Sequence, residues 1–356
     1  MYLTRFMLWG ALACAVGFSG ASLAQSPANG FQLDRIAADA GYGFTPDRPI
    51  PLGGSATGQF RDRLNQLHDL LRGPRGEPLS FAESGTCCVS LDPDTGETRS
   101  IEIYDVAAEG YRPFRLYIDG HTDGAIQTPL GFLATMTADH ADMLAIAERA
   151  VGFGDLNGAA EALRPLAQAG DLAGQFALAR ILGDLGQTDE AGSLYEALAN
   201  ARHPVAQALL AARLENGVGG PANPDAAKTW WRKAAANGDG SSLLRVARDV
   251  IGTGQDQAAL RAAAPLLAAA AERGTPGAQA AYGLMLVNGR GVRQDPVAGL
   301  TWLYLAQRVG DPNARAYYAQ VTPGLTSETV SRIERNAEAW LAEPGPPPAV
   351  ELPEAD

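Results

Sequence analysis

The sequence predicts a mainly α-helical protein, an α/α solenoid of helical hairpins preceded by a small α+β domain. Three observations carry this. Residues 274–310 read as one helical hairpin; the hairpin recurs backwards along the chain at steps of 36 and then 32 residues; and residues 48–132 follow a different pattern, one amphipathic helix with three β-rich runs.

In the hairpin, Ala278, Tyr282 and Leu286, then Ala298, Trp302, Leu303 and Ala306, recur at helical spacing. Gly289 and Gly291 lie between the two sets, where a positive φ ends a helix. Asp295 is placed to cap the second helix, and Pro296 sits in its first turn, where its missing N–H costs nothing.

Stepping back 36 residues at a time joins Gly310, Gly274, Gly238 and Arg202 as hairpin ends. Seventy-two residues before the template, Ala206, Leu210, Ala211, Leu214 and Gly217 answer its first helix, and Ala226, Trp230, Trp231 and Ala234 its second. Before Arg202 the step shortens to 32, through Gly170 to Ala138, because the long turn is missing. The expectation is two short units (138–169, 170–201) and three long ones (202–237, 238–273, 274–309), each unable to bury its apolar stripe alone. In unit four Leu266-Leu267 replaces the aromatic pair, and Gly252-Thr-Gly254 is a shortened turn signal.

At these residues the pattern Ala-x3-(Leu/Tyr)-Gly-x2-Leu-x2-Gly-x-Gly-Val-x2-Asp-x2-Ala-x3-Trp resembles the Sel1-like repeat, a relative of the tetratricopeptide repeat. The resemblance covers about half the chain and implies a solenoid used for protein contacts, with no reaction. Residues 328–341, with Ile333, Ala337, Trp340 and Leu341 on one stripe, resemble the terminal helix that closes such arrays, giving a solenoid over 136–342. Residues 343–356, with Pro346-Pro347-Pro348, read as a disordered tail.

Arg5, the apolar run Phe6–Phe18 and Ala21-Ser22-Leu23-Ala24 read as a secretory signal peptide over 1–24, cleaved between Ala24 and Gln25. Lipidation at Cys14 is the alternative, although Ala11 sits where such sites carry Leu. Loss of the leader removes Arg5 and no acid, taking the net charge from −12 to −13. That charge, with no Lys/Arg cluster, disfavours nucleic acid and anionic lipid as partners. After cleavage no stretch approaches a membrane span, and a periplasmic or secreted location follows. The two remaining cysteines are adjacent, so packing rather than a disulfide framework must hold the fold.

Residues 25–47 form a lead-in with a short helix expected at Leu33–Ala40. A helix follows over 55–72, with Phe60, Leu64, Leu67, Leu70 and Leu71 on one face and Gly73-Pro74 as its stop. Strands are expected at 88–91, 100–106 and 114–118, the first two joined by a turn at Asp92–Glu97. Short stretches here, among them Leu71–Glu77, Gly85-Thr-Cys87-Cys88 and Pro129–Phe132, resemble a set of exported bacterial proteins without an assigned function.

Cys87-Cys88 allows a vicinal disulfide, a redox switch; the preferred reading is two free thiols on opposite faces of a strand. Cys88 with His121 would make a nucleophile and base across neighbouring strands, without an orienting motif. Asp119-Gly-His121-Thr-Asp123 has too few ligands for zinc, and Asp92–Glu97 lacks the later ligands of a calcium loop, so both read as turns. No catalytic, cofactor or metal residue is assigned. Trp230 and Trp302 sit at packing positions of the repeat, which leaves Lys228, Trp231, Arg232, Tyr304 and Arg308 as contacts for a protein or peptide partner. The reading is an exported, non-enzymatic interaction scaffold. Its rival is an envelope enzyme or thiol redox module centred on Cys87, Cys88 and His121.

Overall fold

The computed structural model describes residues 31–55, 58–91, 98–108, 112–122, 124–253, 256–346, 350 and 352. The leader and its cleavage site lie outside them, as does the Asp92–Glu97 turn.

The N-terminal domain is built on a four-stranded sheet. Its strands are β2 (Ile50–Pro51), β4 (Leu79–Leu91), β5 (Thr98–Ala108) and β6 (Phe114–Asp119), in the order β2-β6-β5-β4 with only β2 and β6 parallel. Helix α1 (Phe60–Leu70) lays Leu64, Leu67 and Leu70 against Val106, Leu116 and Ile118 of the sheet. At its end the chain turns extended and Leu71–Arg72 (β3) pairs antiparallel with Leu133–Ala134 (β8). The expected helix at Leu33–Ala40 is not there. Phe31–Ile36 is instead a strand, β1, parallel to β7 (Ile126–Thr128). Leu33, Ile36 and Ala37 are buried at a spacing that also fits a helix, and only the long-range partner decides. The lead-in is therefore part of the domain.

From Ala138 to Ala342 the described chain is built of helices, each of the first ten packing on the next in sequence and the last two both packing on the tenth. Units one and two are α2 (Ala138–Gly152) with α3 (Leu156–Gln168) and α4 (Leu172–Asp184) with α5 (Thr188–Asn200). Units three to five are α6 (Pro204–Asn216) with α7 (Pro224–Ala236), α8 (Gly240–Thr253) with α9 (Gln257–Glu272), and α10 (Pro276–Asn288) with α11 (Pro296–Arg308). Asn223 and Asp295 cap the second helices of units three and five, and Gly217 and Gly289 close the first helices at positive φ. The closing helix is α13 (Ser327–Ala342). An additional helix, α12 (Pro312–Val321), precedes it, signalled by Gly310-Asp311-Pro312 repeating the opening of earlier units.

Part of the domain's apolar surface joins the core of the solenoid. Ile36, Leu130 and Leu133 of the domain share one cluster with Leu144, Leu163, Phe176 and Leu198 of the first two units. Asp171, wholly buried, holds the same junction. One of its carboxylate oxygens caps α4 at Gly174 N; the other accepts from Met136 N at 2.8 Å and lies 2.9 Å from His140 Nδ1.

Every unit is joined to the next through one residue at positive φ: Gly170 (87°), Arg202 (70°), Gly238 (95°), Gly274 (77°) and Gly310 (95°). Arg202 is the only non-glycine with positive φ among the described residues. The left-handed conformation costs an L-residue about 1–2 kcal/mol, and the surroundings hold Arg202 in it. Its guanidinium donates to the Ala37 and Ala38 carbonyls of the domain and, at 3.1 Å, to Asn237 Oδ1 of the following unit. A glutamine five residues past three of the joints adds a second repeated device. Gln175, Gln207 and Gln279 each donate to a carbonyl in the last turn of the preceding helix, Ala167, Ala199 and Ala271, where helix carbonyls lack partners of their own.

Arg202→Ala keeps the strained backbone and loses the guanidinium bonds, so it should destabilise the fold by about 2–3 kcal/mol. Arg202→Gly loses the same bonds but relieves the backbone, and should sit about 1 kcal/mol above the alanine variant. Urea unfolding of both variants measures this; an alanine variant as stable as the glycine one contradicts it.

Candidate protein-interaction surface

Because the joints recur at fixed spacing, units three, four and five present the starts of α6, α8 and α10 side by side. The domain faces them with Pro74, Arg75, Arg112 and Phe114, and between the two lies a cavity of about 250 Å³. Its repeat wall is formed by Pro204, Val205 and residues 237–241 and 273–276. Two of the three helices are capped by side chains, α6 by the buried His203 and α8 by the half-buried Asp239 on the cavity wall. Asp239 Oδ2 accepts from Ser242 N at 3.2 Å, and burial raises its carboxyl above the ordinary range. His203 Nδ1 accepts from Ala206 N at 3.3 Å, and its ring lies against the Pro74 backbone. Complete burial pulls the His203 imidazole down to about 3. Arg273, on the cavity wall, is lowered to about 10 by desolvation; its Nη1 donates to Ala269 O.

At the cavity edge stands a ladder of rings. Tyr282 meets Trp302 at 6.2 Å between centroids, Trp302 meets Trp340 of α13 at 5.5 Å, and the Arg112 guanidinium lies 4.3 Å over Trp340. Glu272 accepts from both Arg112 Nη1, at 3.0 Å, and Trp340 Nε1, at 2.9 Å. The Arg112 side chain is only 7% exposed, and cation–π contact with hydrogen bonding replaces the water it has lost. Domain, unit four and closing helix thus meet on one arginine.

The Sel1 repeat family model matches residues 204–239 and 276–308, the third and fifth units. The chain carries Sel1 repeats. Among solved structures it is similar to a Sel1 repeat protein from Oxalobacter formigenes, at 20% identity and a TM-score of 0.43, covering 55% of this chain and 84% of that one. It is also similar to c5321, a protective antigen present in uropathogenic Escherichia coli strains displaying an SLR fold, at 20% identity and a TM-score of 0.37, covering 56% of this chain and 52% of that one. No curated protein matches the chain. Unit four, whose Leu266 and Leu267 replace the aromatic pair, lies outside the family match and is nevertheless a hairpin of the same build, both leucines buried.

The Sel1 repeats correct one reading of the tryptophans. Trp231 does not stand clear of the packing stripe: it packs on the core cluster of units three to five, and its Nε1 donates to Glu215 Oε2 at 3.3 Å. Its counterpart Leu303 is fully buried. Trp230 instead borders a cleft with Arg202 and Gln207, under the Lys233 ammonium at 4.0 Å. Tyr304 is half-buried, its ring 5.5 Å from Tyr318, and Arg232 is half-buried too. Lys228 and Arg308 are exposed.

Cys87 is disulfide-bonded, so the free-thiol reading does not hold for it. The register of β4 slips between Cys87 and Val89, and the Cys88 side chain lies outside the described residues. Cys88 and His121 are not on neighbouring strands, because β5 separates β4 from β6, after which His121 falls. His121 N and Thr122 N donate to Asp119 Oδ1, the arrangement of a polar turn. No group of three or more metal-binding side chains occurs among the described residues, and Asp123 lies outside them. Neither the ladder on Arg112 nor the His203 site has a local sequence signal, since their partners lie 68 to 160 residues away in one case and in the domain in the other.

His203 gives the fold a pH dependence whose sign is fixed. Between the ordinary imidazole value of about 6.5 and the folded value of about 3, the unfolded chain binds the extra proton, so stability falls as pH falls, by up to about 1.4 kcal/mol per pH unit. Asp239 acts in the opposite direction, but equally in wild type and in His203→Asn, which keeps a capping acceptor. Urea unfolding at pH 7 and 4.5 should show the wild type losing about 2–3 kcal/mol more than His203→Asn. Equal losses contradict the assignment.

Proposed function

We propose that the chain is an exported, non-enzymatic scaffold that binds a segment of another envelope or secreted protein through its Sel1 repeats. Sel1 repeats are protein-interaction modules, and stacked hairpins recognise partners by shape and side-chain complementarity. The observation that carries the reading is the open cavity of about 250 Å³ where three successive helix starts face the N-terminal domain. It sets Pro74, Phe114, Leu130 and Pro204 beside Arg112, Asp239 and Ser241, apolar walls with a few polar groups, the composition of a docking site. Export rests on the sequence of residues 1–24. Among the described residues no helix is long and apolar enough to cross a membrane. Strand β5 stands between the nucleophile and base that the enzyme reading needs, and the disulfide at Cys87 bears on the redox reading alone.

With the full-length chain as bait in envelope extract, a discrete protein should be recovered. Ser241→Arg, at an exposed position on the cavity wall, should lower that recovery about tenfold, equivalent to about 1.4 kcal/mol. Cys87→Ser with Cys88→Ser should leave it unchanged. Recovery that ignores Ser241→Arg and disappears with the cysteines would favour the N-terminal domain instead.

A further inference from the structure

Of the C-terminal stretch that composition assigns to a disordered tail, the described residues are seated on the body. Arg112 Nε donates to the Glu343 carbonyl at 2.8 Å, and Gly345 N donates to Pro113 O at 2.6 Å. Pro346 lines the cavity. Further on, Val350 N donates to Ala236 O at 2.9 Å, and Val350 and Leu352 both pack on the apolar cluster of units three to five. Ala236 is the last residue of α7, and its carbonyl has no acceptor role within that helix. The tail satisfies it. Two side chains two residues apart facing one surface is the geometry of an extended chain, and main-chain bonding beside side-chain pockets is how extended peptides are read.

We propose that this face is a receptor for an extended peptide with two aliphatic residues at i and i+2 behind a proline-rich stretch. The chain's own tail occupies it in cis through Glu343, Gly345, Pro346, Val350 and Leu352, and a partner segment of the same chemistry displaces it. The proposal rests on the reading of the repeats as an interaction module and names both its ligand class and its regulation. The seat is built to be released. It holds by two half-buried aliphatic side chains and a few backbone bonds, and the cavity beside Pro346 is left unfilled for a bulkier competitor. Pro344, Pro346, Pro347 and Pro348 restrict the free tail, which lowers the ordering cost of docking for it and for a partner like it. Tethered at the end of α13, the tail acts at an effective concentration on the order of millimolar. If it binds with an intrinsic constant of about 0.1 mM, it weakens a competing peptide about tenfold.

The test uses a fluorescent synthetic peptide of residues 344–353 and anisotropy. It should bind a chain ending at Glu343 at least about tenfold more tightly than the full-length chain. Full-length Val350→Asp with Leu352→Asp should bind it as the truncated chain does, which carries the test alone should truncation impair folding. A peptide with the same two replacements should bind neither. Equal affinity for the full-length and tail-disrupted chains overturns the proposal, as does no binding to either. A concentration-dependent dimer in light scattering that truncation converts to monomer also overturns it, by placing the tail on a second copy. Failed peptide binding with Ser241-dependent partner recovery intact rejects this inference alone; failure of both rejects the interaction reading beneath it.

Discussion

The structure depends on one backbone requirement: after each hairpin the chain must turn through the left-handed region and start a new helix at once, capped by a side chain at all joints but Gly274. Without that turn the second helix of one unit could not be followed by a first helix lying against it, and the apolar stripe of each unit would face water. Glycine meets the requirement at four joints, and the fifth shows how strong it is. Arg202 adopts the same conformation against its own steric preference, held by carbonyls of the N-terminal domain on one side and Asn237 on the other. The cap that follows takes different chemical forms, Asp171, His203, Asp239 and Asp311, at one structural position. Position, rather than residue type, is what repeats.

The N-terminal domain is tied into this array. It covers the apolar face that the first unit would otherwise leave bare, the task of a capping repeat, and it does so with Ile36, Leu130 and Leu133. Polar contacts then fix its orientation: the buried Asp171 carboxylate bonded to Met136, Arg202 bonded to the lead-in, and Arg112 bonded to Glu272 and stacked on Trp340. Such contacts are specific because a buried charge left without its partner is costly. The cavity lies between this domain and the repeat turns.

Most of the solenoid was legible in the sequence because its signals are local. Periodicity, caps and glycines within some 36 residues are enough to place ten helices, as with Asp295, Pro296 and Gly289 in the fifth unit. Legibility ended where the deciding partner is remote. Leu33, Ile36 and Ala37 fit a helix until β7, some 90 residues later, makes them a strand. Trp230 and Trp231 are neighbours about 100° apart on one helix, and which of them faces the next unit depends on how the hairpins stack. Composition alone assigns the tail to disorder, whereas Val350 finds a helix-end carbonyl and an apolar cluster that no local pattern announces.

The most direct measurement of the central claim is amide hydrogen exchange resolved helix by helix. Unit four has lost the aromatic pair and lies outside the family match, so it is where a stack of interdependent hairpins would first come apart. If each unit is held by its neighbours, the amides of α8 and α9 should be protected at least as well as those of the end helices α2 and α13. Rapid exchange confined to α8 and α9, with α6, α7, α10 and α11 remaining protected, would show that the hairpins stand independently and would contradict the account.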